Sequence, residues 1–202
     1  LFAAPLRMIL ARGKKTHGVE LRHCWFAQNI ATDQFEMVSD WFGCAPRQLY
    51  GMTETIPAVL TDEAAAPRPD AMGYVTNGCD VAIHRPDGTP AEPDEIGEIV
   101  VAGTPGITIF AGYLGDAKTS AASFRDGWFL TGDRASSNPD GRFFFDGRRS
   151  DILKVAGENV STIEVEAVLT SHPKVLEASV VGAPDPVRDE VPVAYVVAAE
   201  AD

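Results

Sequence analysis

The 202-residue sequence predicts an α/β region, the end of a parallel sheet carrying a small antiparallel β subdomain, followed by a compact α+β module. Three observations predict it. A strand, an amphipathic helix and a second strand succeed one another between Leu21 and Tyr50 as a β-α-β unit. Short apolar runs punctuated by two Pro-Asp-Gly turns then fill the stretch up to Arg148. Past Arg149 the pattern changes to strand, capped helix and two further strands, so the chain divides into residues 1–147 and 148–202.

The chain opens on Leu1-Phe2-Ala3-Ala4-Pro5, which has no initiator Met and reads as the interior of a helical region. Leu21 to Phe26 is the first strand, a helix opens near Thr32 and ends at Gly43, and Gln48 to Tyr50 is the second strand. In an open α/β sheet ligands gather at the carboxyl ends of the strands, where Tyr50 to Glu54 fall. After a loop rich in Ala, Pro and Asp (Thr61 to Ala71) the antiparallel subdomain takes its strands from Gly73-Tyr74-Val75, Gly97 to Val101 and Arg142 to Asp146, with turns at Pro86-Asp87-Gly88 and Pro139-Asp140-Gly141. A helix from Asp116, its cap, to Phe124 is interposed, and Trp128 to Thr131 is a strand. In the second module Ile152 to Val155 is a strand, Ser161 to Leu169 a helix whose Ser161 and Glu164 have capping-box spacing, and Val175 to Val181 and Val191 to Ala198 are strands.

Tyr50-Gly51-Met52-Thr53-Glu54-Thr55, taken with Thr131-Gly132-Asp133 and Gly147-Arg148-Arg149-Ser150-Asp151, describes a nucleotide site. An aromatic ring before a Gly lets a planar base stack while the backbone turns. Thr53 beside Glu54 sets a hydroxyl donor next to a hard oxygen ligand, which suits phosphate and Mg²⁺. Asp133, just after a strand and a Gly, is placed to accept from both hydroxyls of a ribose, in charge-assisted bonds of about 1.5–3 kcal/mol each. Arg148 adds a rigid fork of donors. Taken singly each residue has a plain structural reading as strand residue, helix start, turn former or ion-pair partner; it is their joint occurrence that points to a site.

These motifs, with "LYGMTETI", "GTPGITIFAGY", "GENVSTIEVE" and "HPKV", resemble the acyl-adenylate-forming superfamily over essentially the whole chain. Within it the likeness is to crotonobetaine/carnitine-CoA ligases. The resemblance implies that residues 1–147 are the C-terminal part of the large AMP-binding domain and 148–202 an incomplete mobile lid. It implies an acid–CoA ligase using ATP, Mg²⁺ and CoA as co-substrate. Tyr50 would stack on adenine, with Gln28, Gly51 and Met52 lining the nucleotide. Thr53 would contact the α-phosphate and Glu54 would ligate the metal. Asp133 would bind the ribose, assisted by Arg148, and Phe145 would cover the sugar unless it is a plain core residue. Ser150 falls at the hinge of such lids, where many relatives carry Asp or Lys. Gly157 and Glu158 fall in the segment lining the pantetheine channel, where Ala156 replaces a commoner Gly and a simple turn is the competing explanation. Phe26-Ala27-Gln28 stands where most members have Gly-Gly-Ala, a departure that favours a specialised acid, and Phe26, Gln28, Met52, Thr55 and Ile56 are the positions able to report on it.

Composition narrows the partners. With 45% hydrophobic and 23% charged residues this is an ordinary globular composition, and a net charge of −12 without Lys/Arg clusters argues against nucleic acid. Cys24, Cys44 and Cys79 form no CxxC pair and read as buried reduced thiols of a cytosolic protein, and the four His residues lack the i, i+4 spacing of a helical zinc site. No apolar run approaches the ~20 residues of a membrane helix, and the start lacks a signal-peptide pattern. No Gly/Ser/Thr-rich phosphate loop occurs, and the chain stops at Asp202 before the family's lid lysine; Lys154 is too early to be it. The expectation is therefore a fragment holding one wall of the AMP site and unable to adenylate alone. The alternatives are an adenylation domain that loads a carrier thiol, and a non-catalytic nucleotide-binding or interaction module.

Overall fold

The computed structural model describes residues 3–12, 21–27, 30–55, 58–148 and 151–199. Two compact units divide it, Leu1–Asp146 and Gly147–Asp202.

The first unit begins with helix α1 (Ala3–Ala11), strand β1 (Trp25–Phe26), helix α2 (Thr32–Phe42) and strand β2 (Arg47–Tyr50), where β1 and β2 are parallel with Trp25 opposite Arg47. The α2 sequence dictates its packing. Phe35, Val38 and Phe42 recur at helical spacing and close over Leu6 and Leu10 of α1 and the fully buried Phe26 of β1. Gly43 ends the helix in the left-handed conformation at φ 67°, the cap that leaves no Cβ penalty. The β-α-β unit is therefore as expected, although its first strand is shorter than Leu21 to Phe26.

Strand β3 (Leu60–Thr61) pairs antiparallel with β2, and β4 (Tyr74–Val75) with β3, so the sheet runs β1-β2-β3-β4. This corrects the assignment of Gly73-Tyr74-Val75 to the antiparallel subdomain: the segment edges the β1–β2 sheet. Gly73 allows it, because at φ 93° a Cβ would lie 2.3 Å from the Thr61 carbonyl carbon.

The second sheet contains β5 (Asp80–His84), β6 (Gly97–Ala102), β7 (Phe124–Arg125) and β8 (Trp128–Ser137) in the order β5-β6-β8-β7, with β9 (Phe143–Arg148) also on β8. Helix α3 (Ala117–Ala122) precedes β7, and its cap is the expected Asp116, whose Oδ1 accepts the Thr119 N–H at 2.9 Å. Both Pro-Asp-Gly segments are turns, with Gly88 at φ 92° and Gly141 at φ 81°. A core of Leu60, Met72, Ile83, Ile99, Ala135 and Phe143 joins residues of the two sheets. Phe143 also bridges Gly73: its N–H donates to the Gly73 carbonyl at 2.8 Å, and its carbonyl accepts the Met72 N–H at 2.9 Å.

A buried ion pair clamps the loop between β3 and β4. Arg142 reaches Glu63 at 2.5 Å, the Tyr74 hydroxyl at 3.1 Å and the Ala66 carbonyl at 3.2 Å, with the fully buried Asp62 side chain 3.9 Å away. Burial pushes the Asp62 carboxyl above its ordinary range, while N–H bonds from Arg68 and Glu63 and the Arg142 charge pull it back.

The second unit is the sheet β11-β10-β13-β12, formed by β10 (Ile152–Val155), β11 (Glu158–Ser161), β12 (Val175–Asp185) and β13 (Asp189–Ala198), with helix α4 (Thr162–Thr170) against β12. Ser161 caps α4 by accepting the Glu164 N–H at 3.3 Å. Glu166 accepts the Val180 N–H at 2.7 Å and so ties the helix to its strand. Strand β11 was not expected; the segment from Ala156 onward turns back on β10 as a hairpin. The α+β character of this unit and the mixed α/β character of the first agree with the sequence.

Candidate functional site

Tyr50 ends β2, at the carboxyl edge where a parallel strand offers a ligand position. The chain then turns through a 3₁₀ segment, Thr53–Thr55. Gly51 is not among the glycines with positive φ. The turn is held instead by Thr55, whose buried hydroxyl accepts the Met52 N–H and donates to the Met52 carbonyl, each at 3.1 Å, while its own N–H donates to the same carbonyl. Thr55 is thereby committed inside the loop. Thr53 stands exposed at the start of the turn, and Glu54 is half-buried beside it.

Asp133 owes its place to an irregularity in β8. The β6/β8 register runs Glu98 to Arg134 and then Val100 to Leu130, so Ile99 alone faces Thr131, Gly132 and Asp133. Such a bulge re-aims side chains. Three bonds stitch it: the Thr131 hydroxyl donates to the Ile99 carbonyl at 2.7 Å, Glu98 accepts the Gly132 N–H at 3.0 Å, and the Asp133 N–H donates to the Thr131 hydroxyl oxygen at 3.1 Å. Gly132 sits at φ 75°, a conformation the tight bulge demands. Asp133 is only 2% exposed, and the Tyr50 hydroxyl donates to its Oδ2 at 2.7 Å across 83 residues of sequence. Tyr50, its hydroxyl on Asp133, and Glu54 thus share one unit.

Glu54 has a partner that sequence reasoning missed. The Tyr113 hydroxyl donates to Glu54 Oε1 at 3.0 Å, and the Phe110 N–H donates to the Glu54 carbonyl at 2.8 Å. Burial, and then the Glu54 carboxylate, raise the Tyr113 phenol above its ordinary value, so it remains the donor. Tyr113 closes the segment "GTPGITIFAGY", which carries a family resemblance but no local mark of this contact.

The other expected residues are distributed as follows. Phe145 is half-buried and packs on the same core as Tyr50. Phe26 is fully buried in the core of α1 and α2, which makes it a packing residue of that layer. Arg148, Gly157 and Glu158 belong to the second unit. There the Arg148 N–H donates to Asp151 at 2.8 Å and the arginine is exposed. Ala156 and Gly157, at φ 52° and 87°, form the two-residue turn between β10 and β11, and Glu158 pairs with Val155. Gln28, Ile56 and Ser150 lie outside the described residues.

Among the described residues no three His, Cys, Asp or Glu side chains converge as a metal cage. A lone carboxylate such as Glu54 suits Mg²⁺, which is commonly held by one or two carboxylates together with substrate phosphates and water. Its Oε1 is already oriented by Tyr113, and the donor set is compatible with that metal.

The fold is that of acyl-adenylate-forming CoA ligases. It superposes on o-succinylbenzoate CoA synthetase from Bacillus subtilis in complex with the acyl-adenylate OSB-AMP with a TM-score of 0.83 at 32% identity, covering 100% of this chain and 41% of that one. ATP-bound MatB from Rhodopseudomonas palustris matches with a TM-score of 0.76 at 29% identity, over 88% of this chain and 35% of that one. The chain belongs to the AMP-binding enzyme family, matched over residues 3–114, with the AMP-binding enzyme C-terminal domain matched over residues 164–202. Crotonobetaine/carnitine–CoA ligases of Salmonella paratyphi C and Salmonella typhi are 35% identical over 184 residues, 90% of this chain. The chain spans 36% of the length of those curated relatives. No helix among the described residues is long and apolar enough to cross a membrane.

Proposed function

We propose that this chain forms part of an ATP-dependent acid–CoA ligase of the cytoplasm, acting through an acyl-adenylate. The observation that carries this reading is the buried Asp133, held by a stitched bulge and bonded to Tyr50 at the end of a parallel strand. A carboxylate oxygen of the acid attacks the α-phosphorus of ATP and pyrophosphate leaves; the CoA thiolate then attacks the acyl carbon and AMP leaves. Tyr50 stacks on adenine beside Gly51 and Met52, Asp133 takes the ribose hydroxyls, and Thr53 donates to the α-phosphate. Glu54 holds Mg²⁺, which when bound neutralises charge on the phosphates as two anions approach. The second unit, residues 148–202 in this reading, is the lid, with Gly157 and Glu158 toward the pantetheine arm of CoA.

The substrate is a small carboxylic acid, and the 35% identity to crotonobetaine/carnitine–CoA ligases supports one of the carnitine type. The 202 residues contain no Gly/Ser/Thr-rich phosphate loop, so they bind AMP without adenylating. Equilibrium dialysis with AMP, alongside an ATP–pyrophosphate exchange assay, tests both parts. AMP retention with no exchange above a protein-free control is expected. No retention would overturn the nucleotide reading, and exchange would overturn the inactivity.

A further inference from the structure

Glu54 is gripped by one loop at two points, its carbonyl by Phe110 and its carboxylate by Tyr113. That loop is itself firmly built. The Thr108 hydroxyl accepts the Thr104 N–H at 2.9 Å, the Ile109 carbonyl accepts the Gly106 N–H at 2.8 Å, and Ile109 is 2% exposed. The Phe110 ring stacks on Phe124 with centroids 5.8 Å apart and meets Phe129 edge-on at 5.1 Å. Tyr113 joins this cluster through Phe110 at 4.9 Å. Its backbone is fixed as well, since its N–H donates to the Ser120 hydroxyl at 2.8 Å and its carbonyl accepts the Asp116 N–H at the start of α3.

Packing alone does not explain where the hydroxyl goes. A Phe at 113 would sit on Phe110 equally well, yet the ring is turned so that its one polar atom meets Glu54 Oε1. A half-buried glutamate such as Glu54 has three rotatable side-chain bonds, and holding one oxygen removes most of that freedom before any ligand arrives. The Tyr113 hydroxyl is a neutral donor and brings no positive charge of its own to the site. We propose that Tyr113 is the positioning residue for Glu54, fixing one carboxylate oxygen so that the other is presented to the divalent cation of a metal–nucleoside triphosphate complex. The assignment deepens the ligase reading and rests on it.

Two measurements decide it. A double-mutant cycle of Tyr113→Phe and Glu54→Ala in urea unfolding, without ligand, shows whether the two side chains are coupled; non-additive effects are expected, and strictly additive ones would overturn the contact. Mn²⁺ binding in the presence of ATP, followed by electron paramagnetic resonance, is then compared with metal-free AMP binding. Tyr113→Phe keeps the ring on Phe110 and is expected to weaken Mn²⁺ by about three- to tenfold, the range of one hydrogen bond's net contribution, while leaving AMP affinity unchanged. Unmoved Mn²⁺ affinity with intact AMP binding overturns the role of Tyr113 alone, as does an equal loss of both affinities. Absent AMP binding by the unaltered chain overturns the nucleotide reading and the metal role built on it.

Discussion

Replacing Arg142 by Met is expected to destabilise the first unit by about 3 kcal/mol, within the range for breaking a buried ion pair. The magnitude follows from what the arginine leaves behind. Its side chain is 6% exposed and its partner Asp62 0%, while Glu63, at 44%, recovers solvent easily. Met preserves the apolar stem over the Tyr74 ring, where the guanidinium carbon lies 5.0 Å from the centroid, so packing loss is small. The penalty is therefore carried by an Asp62 carboxylate still bonded to the Glu63 and Arg68 N–H groups but stripped of its countercharge. For a unit of this size the shift in Tm is about 10 °C. Adding Asp62→Asn removes the orphaned charge and is expected to recover about 1–2 kcal/mol. The sign with pH is fixed by the same group. Asp62 is raised above its ordinary value, so the stability linked to its protonation is full below the unfolded value of 3.8 and is lost as pH rises through the raised folded value. The Arg142→Met deficit should accordingly shrink as the medium is acidified. Urea unfolding followed by circular dichroism reads all of this. A deficit below about 0.5 kcal/mol, or no recovery with Asp62→Asn, would refute the buried-charge reasoning.

Two further outcomes follow from local geometry. His84 is buried edge-on to Trp128, and burial first, then the Arg125 charge, hold its pKa below the ordinary 6.5 against the pull of Glu98. Its stabilising contribution is full above 6.5 and lost as pH falls through the lower folded value, so the urea midpoint should drop between pH 7 and 5, and His84→Gln should flatten that drop; an equally steep profile would contradict the assignment. Ala156 occupies φ 52° beside Gly157 in the β10–β11 turn, and Ala156→Gly is expected to stabilise the second unit by about 0.5–1 kcal/mol in chemical denaturation, where a loss of stability would count against the strained turn.

Where signals were local, the sequence was legible. Gly43 and Asp116 announce a helix end and a helix start by side-chain chemistry alone, and the Pro-Asp-Gly turns do the same for two connections. Tyr50 ends its strand as its motif suggested, whereas Asp133, expected just after a strand ending at Thr131, lies inside β8, which runs on to Ser137. What escaped was partner choice. A two-residue strand such as Tyr74–Val75 carries no mark of which sheet will accept it; the deciding feature is the close approach of Gly73 to the Thr61 backbone. The bulge that aims Asp133 depends on the register of β6, some 34 residues away, and leaves no pattern in Thr131-Gly132-Asp133 itself. Tyr113 was missed for the same reason, since its contact with Glu54 spans 59 residues. Gly51 suggested a sharp backbone turn, and the turn is there, but without a positive φ at Gly51 and with the buried Thr55 hydroxyl holding it.

The central claim, that Asp133 and Tyr50 form the ribose and base wall of a nucleotide site, is tested most directly by titrating AMP calorimetrically into the unaltered chain and its Asp133→Asn variant. If Asp133 takes the ribose hydroxyls, exchanging its carboxylate for a neutral amide should weaken AMP by at least about tenfold, from charge-assisted bonds of about 1.5–3 kcal/mol each. Equal affinity in the two proteins would contradict the account.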